Sequence, residues 1–171
     1  TNNMYGDFVA MVDDTVGQIL AALDASKLAK NTLILFTSDN GPVWYDTDTK
    51  RFGHNATTPL RGMKGDAFEA GHRMPFIVRW PGHVPAGGVR DDVTTMMDIL
   101  PTFGKTAGAD PPPGRIIDGH DIRPILFNES GAVSPYDHHG FFYYHVDQLQ
   151  AVRSGPWKLY LPLKAKRGSL G

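Results

Sequence analysis

The chain has 171 residues, of which 41% are hydrophobic and 20% charged, with a formal net charge of −1 at pH 7. This length is enough for one ordinary hydrophobic core. The near-neutral charge provides no basic field for binding nucleic acid, and no apolar run approaches the roughly 18 residues that a membrane span needs. The absence of cysteine excludes disulfides and thiolate metal sites.

The first predicted element is an amphipathic helix over Tyr5–Leu23. Its apolar residues form one stripe, at Phe8, Val12, Val16, Ile19, Leu20 and Leu23. Asn31 marks a turn, after which Thr32–Thr37 is predicted as a strand. Because the apolar run within it is short and is followed directly by turn residues, we expect this strand to be buried on both faces.

The middle of the chain alternates between irregular and regular segments. Val43–Thr58 is polar and lacks periodicity, which predicts an irregular loop that forms a pocket wall. Phe76–Trp80 is predicted as a second strand. A helix is expected to begin with Asp98 as its N-cap and to end at Gly108.

The last third of the chain is predicted to form a small antiparallel sheet. Its expected strands are Phe141–Tyr144, Gln148–Arg153 and Trp157–Leu161. The proline-rich segment 109–114 is typical of a stiff linker, so we predict two parts, residues 1–110 and residues 111–171. The basic tail Lys164–Gly171 is expected to be frayed.

Two places in the sequence offer ligand-binding side chains. Asp39 and Asn40 follow the first predicted strand, and the carboxyl end of a strand is where ligands gather in α/β sheets. Their carboxylate and amide oxygens suit Ca²⁺ or Mg²⁺, although Asp-Asn-Gly is also ordinary turn chemistry. Lys64, flanked by Gly62 and Gly65, offers a compact positive charge for a tetrahedral anion, although a lone lysine in a turn is often a surface charge.

Other clusters give weaker signals. His138, His139 and His145 fit no tight zinc motif, so we interpret them as edge or pocket residues. The run 46–50 begins like an EF-hand loop but has Lys50 where an oxygen ligand is required.

Two segments together resemble a known family. The first is TSDNGP at Thr37–Pro42, and the second is LRGMKGDAFEAGHRMPFIVRWPG at Leu60–Gly82. In this order they resemble the second half of the formylglycine-dependent (type I) sulfatases, the arylsulfatase family, whose pattern is SDNG followed by G-x-K-x-x-x-x-E-G-G-x-R-x-P. Ala70 replaces the first glycine of the E-G-G element. The resemblance extends to AVRSGPWKLYL at Ala151–Leu161.

The resemblance implies a fold, a reaction and roles for named residues. The fold is α/β, part of an alkaline-phosphatase-like (sulfatase) α/β sandwich followed by a small antiparallel C-terminal sheet. The reaction is hydrolysis of a sulfate monoester with a divalent metal, Ca²⁺ or alternatively Mg²⁺, held by Asp39 and Asn40. Lys64 is implied to be catalytic and to bind the sulfate, and His54 is a candidate substrate-pocket residue. The implied compartment is periplasmic, secreted or lysosome-like.

The nucleophile of that family is absent from this sequence. It is a cysteine or serine in a C-x-P-S-R type motif, oxidised to formylglycine, and neither version occurs here. We therefore expect the nucleophile and the remaining metal ligands in an N-terminal half outside this chain, so that the chain alone is inactive. Uncovered sheet edges and apolar surface are expected to make the isolated chain self-associate.

The expected partner is a sulfated small molecule or glycan. Two alternatives stay open. The first is a phosphate or phosphonate ester hydrolase of the same superfamily. The second is a truncated remnant without catalytic function.

Overall fold

A computed structural model describes residues 3–162. The chain divides into two compact units, unit 1 being the chain up to Lys64 with Phe68–Gly88, and unit 2 being Gly65–Ala67 with the chain from Val89 onward. The predicted division into residues 1–110 and 111–171 stays a prediction. The predicted frayed tail lies outside the described residues. No helix among the described residues is long and apolar enough to cross a membrane.

Unit 1 begins with the long helix α1, Met4–Ala25, which confirms the predicted amphipathic helix. Asn3 caps its start, because the Asn3 side chain accepts a hydrogen bond of 2.7 Å from the Gly6 amide. None of the described residues of α1 is buried. On the predicted apolar stripe, Phe8 is 60% exposed and Ile19 is 52% exposed. Within the described part of the chain, the stripe is therefore only partly covered.

Both predicted strands of unit 1 are confirmed. Strand β1, Ile34–Thr37, pairs antiparallel with β2, Phe76–Arg79, and the register places Ile34 opposite Arg79 and Thr37 opposite Phe76. All four residues of β1 are half-buried, so the prediction of burial on both faces is wrong for the described chain. The reason is that β2 is the only strand of residues 3–162 that pairs with β1.

The segment predicted to be an irregular loop contains a helix, α2, at Asp46–Phe52. The Tyr45 amide donates to the Asp48 carboxylate at 3.2 Å, and Gly53, with φ of 64°, ends the helix in a left-handed conformation. Acidic residues lie in its first turn and basic residues in its last, which suits the helix dipole. The prediction missed α2 because capping and charge stabilise it without an apolar stripe. A four-residue helix, α3, follows at Glu69–His72.

Unit 2 contains the predicted helix at Asp98 and the predicted sheet. Helix α4, Ile99–Thr106, follows a 3₁₀ turn at Met96–Asp98, and Gly108 has φ of 75° just beyond its end. Two four-residue helices come next, α5 at Arg123–Leu126 and α6 at Tyr136–His139.

The three predicted C-terminal strands are confirmed as an antiparallel sheet in the order β3-β4-β5. Their ranges are β3 Phe141–His145, β4 Gln148–Ser154 and β5 Trp157–Tyr160. One face of the sheet carries buried Tyr143 and Ala151, while the other leaves Phe142 50% exposed and Leu159 62% exposed. The buried interior of unit 2 therefore lies on the Tyr143 side of the sheet.

Candidate functional site

The turn that follows β1, Ser38–Pro42, is the SDNG turn. Two hydrogen bonds hold it: the Ser38 hydroxyl donates to the Asn40 carbonyl at 3.1 Å within the turn, and the Gly41 amide donates to the Gly71 carbonyl at 2.9 Å. The second bond joins the SDNG turn to α3, thirty residues further along the chain. The turn is thus held in place without using the side chain of Asp39.

The structure leaves no space for a side chain at Gly41. A Cβ added at Gly41 would lie 1.7 Å from the Ala70 carbonyl oxygen, a backbone atom that has no flexible end to move aside. Ala70 itself lies in α3 and is 1% exposed. The alanine that departs from the family pattern is therefore accommodated in ordinary helical backbone.

Lys64 is tied to the same turn. Its amide donates to the Pro42 carbonyl at 2.9 Å, while its side chain is exposed. The neighbouring Gly62 and Gly65 have φ of 87° and 94°, the left-handed region that glycine adopts readily. The structure therefore brings the backbone of Lys64 against the SDNG turn, so two motifs that are distant in sequence meet in unit 1.

The two predicted metal ligands lie within this turn. Asp39 is exposed and Asn40 is half-buried. The Asn40 amide nitrogen donates to the Gly41 carbonyl at 3.0 Å, which leaves Oδ1 as the amide atom to face a cation. A carboxylate and an amide oxygen fit a hard cation, but Ca²⁺ takes about six to eight oxygens. Residues 3–162 contain no group of three or more His, Cys, Asp or Glu that could hold a metal ion, so this pair fits only as part of a larger ligand set.

His54 is held beside a buried tryptophan of the same unit. The Trp44 indole nitrogen donates to the His54 carbonyl at 2.9 Å and to the Thr49 hydroxyl at 3.1 Å. The rings of Trp44 and His54 meet edge to face with centroids 5.6 Å apart, and the His54 side chain is exposed. Its assignment to a substrate pocket stays a prediction, as do the roles of Asp39, Asn40 and Lys64.

One contact in unit 2 concerns the segment that directly follows Lys64. The Lys158 ammonium donates to the Ala67 carbonyl at 2.6 Å and lies 3.7 Å from the centroid of the Tyr143 ring. Sequence reasoning missed Lys158, because in the run WKLY the alternation suggests that Trp157 and Leu159 point inward. The structure has the opposite arrangement, with Trp157 80% exposed and Leu159 62% exposed.

A second polar cluster, the Asp98 cluster, consists of Thr95, Asp98, His120 and Tyr136 in unit 2. The fully buried Asp98 carboxylate accepts hydrogen bonds from the Thr95 amide at 2.7 Å, the His120 amide at 2.8 Å and the Tyr136 hydroxyl at 2.6 Å. Burial, with the hydrogen bond to Asp98, raises the pKa of Tyr136 well above its ordinary value. Asp98 occupies the predicted N-cap position of α4, but its side chain makes no capping bond to that helix. The cluster is therefore a satisfied structural network.

Comparison with known proteins identifies the family. The profile described as Sulfatase matches residues 2–109, and the profile described as N-sulphoglucosamine sulphohydrolase, C-terminal, matches residues 64–160. Steryl-sulfatase of Homo sapiens is 41% identical over 166 residues, which cover 93% of this chain and 28% of the relative.

Solved structures agree with the sequence relatives. A protein solved in connection with the metabolism of multiple glycosaminoglycans by Bacteroides thetaiotaomicron superposes with a TM-score of 0.79 at 31% identity, covering 94% of this chain and 34% of that one. Another, in complex with its substrate D-glucosamine-2-N,6-O-disulfate, gives 0.59 at 26% identity, over 85% and 28% of the two chains.

These relatives confirm the predicted fold class, an alkaline-phosphatase-like α/β fold. The chain spans only 28% of the human relative's length. The first family profile includes the SDNG turn and Lys64, and the second extends through the C-terminal sheet. The chain belongs to the sulfatase family.

Proposed function

We propose that the protein hydrolyses sulfate monoesters and that this chain supplies one part of the active site. The observation that carries the proposal is the 2.9 Å hydrogen bond from the Lys64 amide to the Pro42 carbonyl, because it joins the two sulfatase motif segments at one place. Family membership supports the reaction class. Since the chain spans 28% of the human relative, the activity belongs to the proposal for the whole protein.

The proposed roles follow from the chemistry of the side chains. Asp39 and Asn40 Oδ1 would hold Ca²⁺, or alternatively Mg²⁺, together with ligands from outside the chain. When bound, the metal supplies Lewis-acid and template chemistry at the sulfate oxygens. The Lys64 ammonium offsets negative charge on the sulfate oxygens in the transition state. His54 lines the substrate pocket beside Trp44.

The nucleophile is proposed to come from outside these 171 residues. The sequence contains no cysteine from which formylglycine is made, and no serine version of the motif. We expect no turnover of 4-nitrophenyl sulfate by the pure chain. Measurable turnover that co-purifies with the chain would contradict this division of the active site.

Binding of inorganic sulfate tests the role of Lys64 directly. Replacing Lys64 with methionine keeps the length of the side chain and removes its charge, so we expect sulfate affinity to fall about tenfold, the size of one well-placed charge-assisted contact. Lys30→Met is the matched control, because Lys30 is also an exposed lysine of unit 1. Calorimetric titration of both variants measures the effect, and equal affinities would overturn the proposed role of Lys64.

The same titration separates the alternatives. If inorganic phosphate binds more tightly than sulfate at the Lys64-dependent site, the phosphate or phosphonate ester hydrolase is favoured. If neither anion depends on Lys64, the non-catalytic remnant is favoured.

The proposed substrate class is a sulfated small molecule or glycan. One relative is named for steryl sulfates, and one solved neighbour holds a disulfated glucosamine. What a sterol and a glucosamine substrate have in common here is the sulfate ester, so the proposal stops at that group. A periplasmic, secreted or lysosome-like compartment is proposed on family grounds.

We further propose that the isolated chain self-associates. Met4 is 88% exposed and Phe8 60% exposed on α1, and exposed apolar surface favours association. Sedimentation velocity over a range of concentrations measures this, and a single monomeric species at all concentrations would contradict it.

A further inference from the structure

The Lys158 side chain contacts the backbone just after Lys64. It lies on β5, opposite Arg153 of β4, on the same face of the sheet as Tyr160. Its ammonium lies 3.7 Å from the centroid of the Tyr143 ring and 5.3 Å from that of Tyr160, and donates to the Ala67 carbonyl at 2.6 Å. A charged donor to a carbonyl, held against aromatic faces, is stronger than a neutral hydrogen bond.

The segment that Lys158 contacts, Gly65–Ala67, begins with a glycine whose backbone is intrinsically flexible. Gly65 has φ of 94°, and a Cβ placed there would meet no atom within 4 Å. Glycine has the largest conformational freedom to lose on folding, and here no close side-chain packing at Gly65 restricts it. At the residue before Gly65, the Lys64 amide donates a hydrogen bond to the Pro42 carbonyl.

The position of Lys158 in β5 departs from ordinary strand patterning. Lysine is half-buried there, while the neighbouring Trp157 is 80% exposed and Leu159 62% exposed. An apolar residue at position 158 would suit a partly buried sheet face better, but it would make no hydrogen bond to Ala67.

We propose that Lys158 is a positioning residue for Lys64, which it serves by clamping the Ala67 carbonyl and so holding the Gly65–Ala67 segment in one conformation. The inference rests on the proposed function of Lys64 as the sulfate-binding residue. Lys158 does not itself contact the anion in this proposal.

Backbone amide relaxation tests the clamp, because it reports the mobility of each residue. Lys158→Met keeps the side-chain stem and removes the donor, so the order parameters of Gly65, Asp66 and Ala67 should fall from about 0.85, typical of rigid backbone, toward values below about 0.6. Lys158→Arg keeps a charged donor and should restore the wild-type order parameters. Lys105→Met is the matched control in unit 2, because Lys105 pairs with Asp110 and lies outside this segment.

Sulfate affinity is the second readout, and it separates positioning from simple support of the sheet. We expect Lys158→Met to weaken inorganic sulfate binding several-fold and Lys158→Arg to restore it, with Lys105→Met unchanged. An equal fall in the order parameters throughout unit 2 would overturn the proposal, because it would mean that Lys158 only stabilises the sheet. Unchanged order parameters at Gly65–Ala67 would also overturn it.

Lys64→Met, measured in parallel, distinguishes the two possible failures. If Lys64→Met weakens sulfate binding and Lys158→Met does not, the positioning role is wrong and the proposed function stands. If neither variant changes sulfate affinity while Lys158→Met lowers the order parameters of Gly65–Ala67, the clamp exists but the proposed function is wrong, and with it the inference.

Discussion

The SDNG turn of unit 1 and the Asp98 cluster of unit 2 use acidic side chains in opposite ways. In the turn, backbone hydrogen bonds of 2.9 Å from the amides of Gly41 and Lys64 fix the geometry, and the side chains of Asp39 and Lys64 remain exposed. In the cluster, the Asp98 carboxylate is fully buried and accepts three hydrogen bonds.

The difference indicates which charges are able to serve a ligand. A buried carboxylate that its own protein satisfies contributes to folding, since its desolvation is repaid by those donors. A charged side chain whose residue is fixed only through its backbone remains able to bind a cation or an anion. Variants of the two regions should therefore separate stability from binding.

The largest effect on stability is expected from Gly41→Ala. The new methyl group would lie 1.7 Å from the Ala70 carbonyl oxygen, so either the SDNG turn or α3 must move. We expect unit 1 to lose about 5 kcal/mol or more of unfolding free energy, in the range that diagnoses a backbone clash. Urea unfolding followed by tryptophan fluorescence measures this, because Trp44 and Trp80 both lie in unit 1.

Gly17→Ala is the control for that experiment. Gly17 lies within α1, and an added Cβ would meet nothing within 4 Å. Alanine in a helix is favoured over glycine by about 1 kcal/mol, so this variant should be slightly more stable. A Gly41→Ala protein with normal stability would refute the tight contact between the SDNG turn and α3.

The next effect is expected from Asp98→Ala. It leaves the Thr95 amide, the His120 amide and the Tyr136 hydroxyl without their acceptor. We expect a loss of about 3–5 kcal/mol, because several buried donors lose their acceptor at once and each unsatisfied donor costs about 1–3 kcal/mol.

Asp24→Ala is the comparison for Asp98→Ala, because Asp24 is exposed and pairs with Arg79 at 3.3 Å. An exposed pair is expected to contribute less than about 1 kcal/mol. Thermal and urea unfolding of the two variants give the comparison, and equal losses would mean that burial does not separate the two aspartates.

A smaller effect with its own pH signature is expected from Tyr136→Phe. Losing a hydrogen bond to a carboxylate costs about 1.5–3 kcal/mol near neutral pH. Burial and the Asp98 hydrogen bond raise the pKa of Tyr136 in the folded protein, whereas an unfolded tyrosine has a pKa of about 10. Below that pH both states hold the proton and the contribution is fully present.

Above pH of about 10 the unfolded state releases the proton first, so the contribution of Tyr136 declines as the pH rises further. The gap in unfolding free energy between wild type and Tyr136→Phe should therefore narrow in that range. Unfolding curves at a series of alkaline pH values measure the gap. A gap that stays constant would show that Tyr136 is not held protonated by the cluster.

The sequence predicted the elements whose patterns are carried by apolar residues. The helix α1 and the strands β1 to β5 were placed correctly, because the spacing of apolar residues along a helix and the short apolar runs of strands can be read directly from the sequence. The helix α2 was missed, since it is polar and depends on the Tyr45–Asp48 cap and on charge placement.

The candidate site was predicted in part for a similar reason. Asp39, Asn40 and Lys64 belong to recognisable motifs. The proximity of the two motif segments depends on backbone hydrogen bonds to the carbonyls of Pro42 and Gly71, which sequence periodicity does not predict. Lys158 was missed because, in the sequence, a half-buried lysine of a strand cannot be distinguished from an exposed one. Asp98 was assigned to a helix cap because its partners, His120 and Tyr136, are distant in sequence.

The smallest effect on stability is expected from Asp39→Asn, where binding should change instead. Asp39 is exposed, so removing its charge should alter the unfolding free energy by no more than about 0.5 kcal/mol. A Ca²⁺ titration followed by the amide signals of residues 39–41 should show weak binding in the wild-type chain, because two side chains are a minority of the oxygens that Ca²⁺ needs. Those shifts should disappear in Asp39→Asn and persist in Asp13→Asn, which changes an exposed aspartate of α1. A large loss of stability in Asp39→Asn would contradict this, because it would show that the Asp39 carboxylate stabilises the fold. Asp39 and Asp98 would then both be structural residues that differ only in how exposed they are.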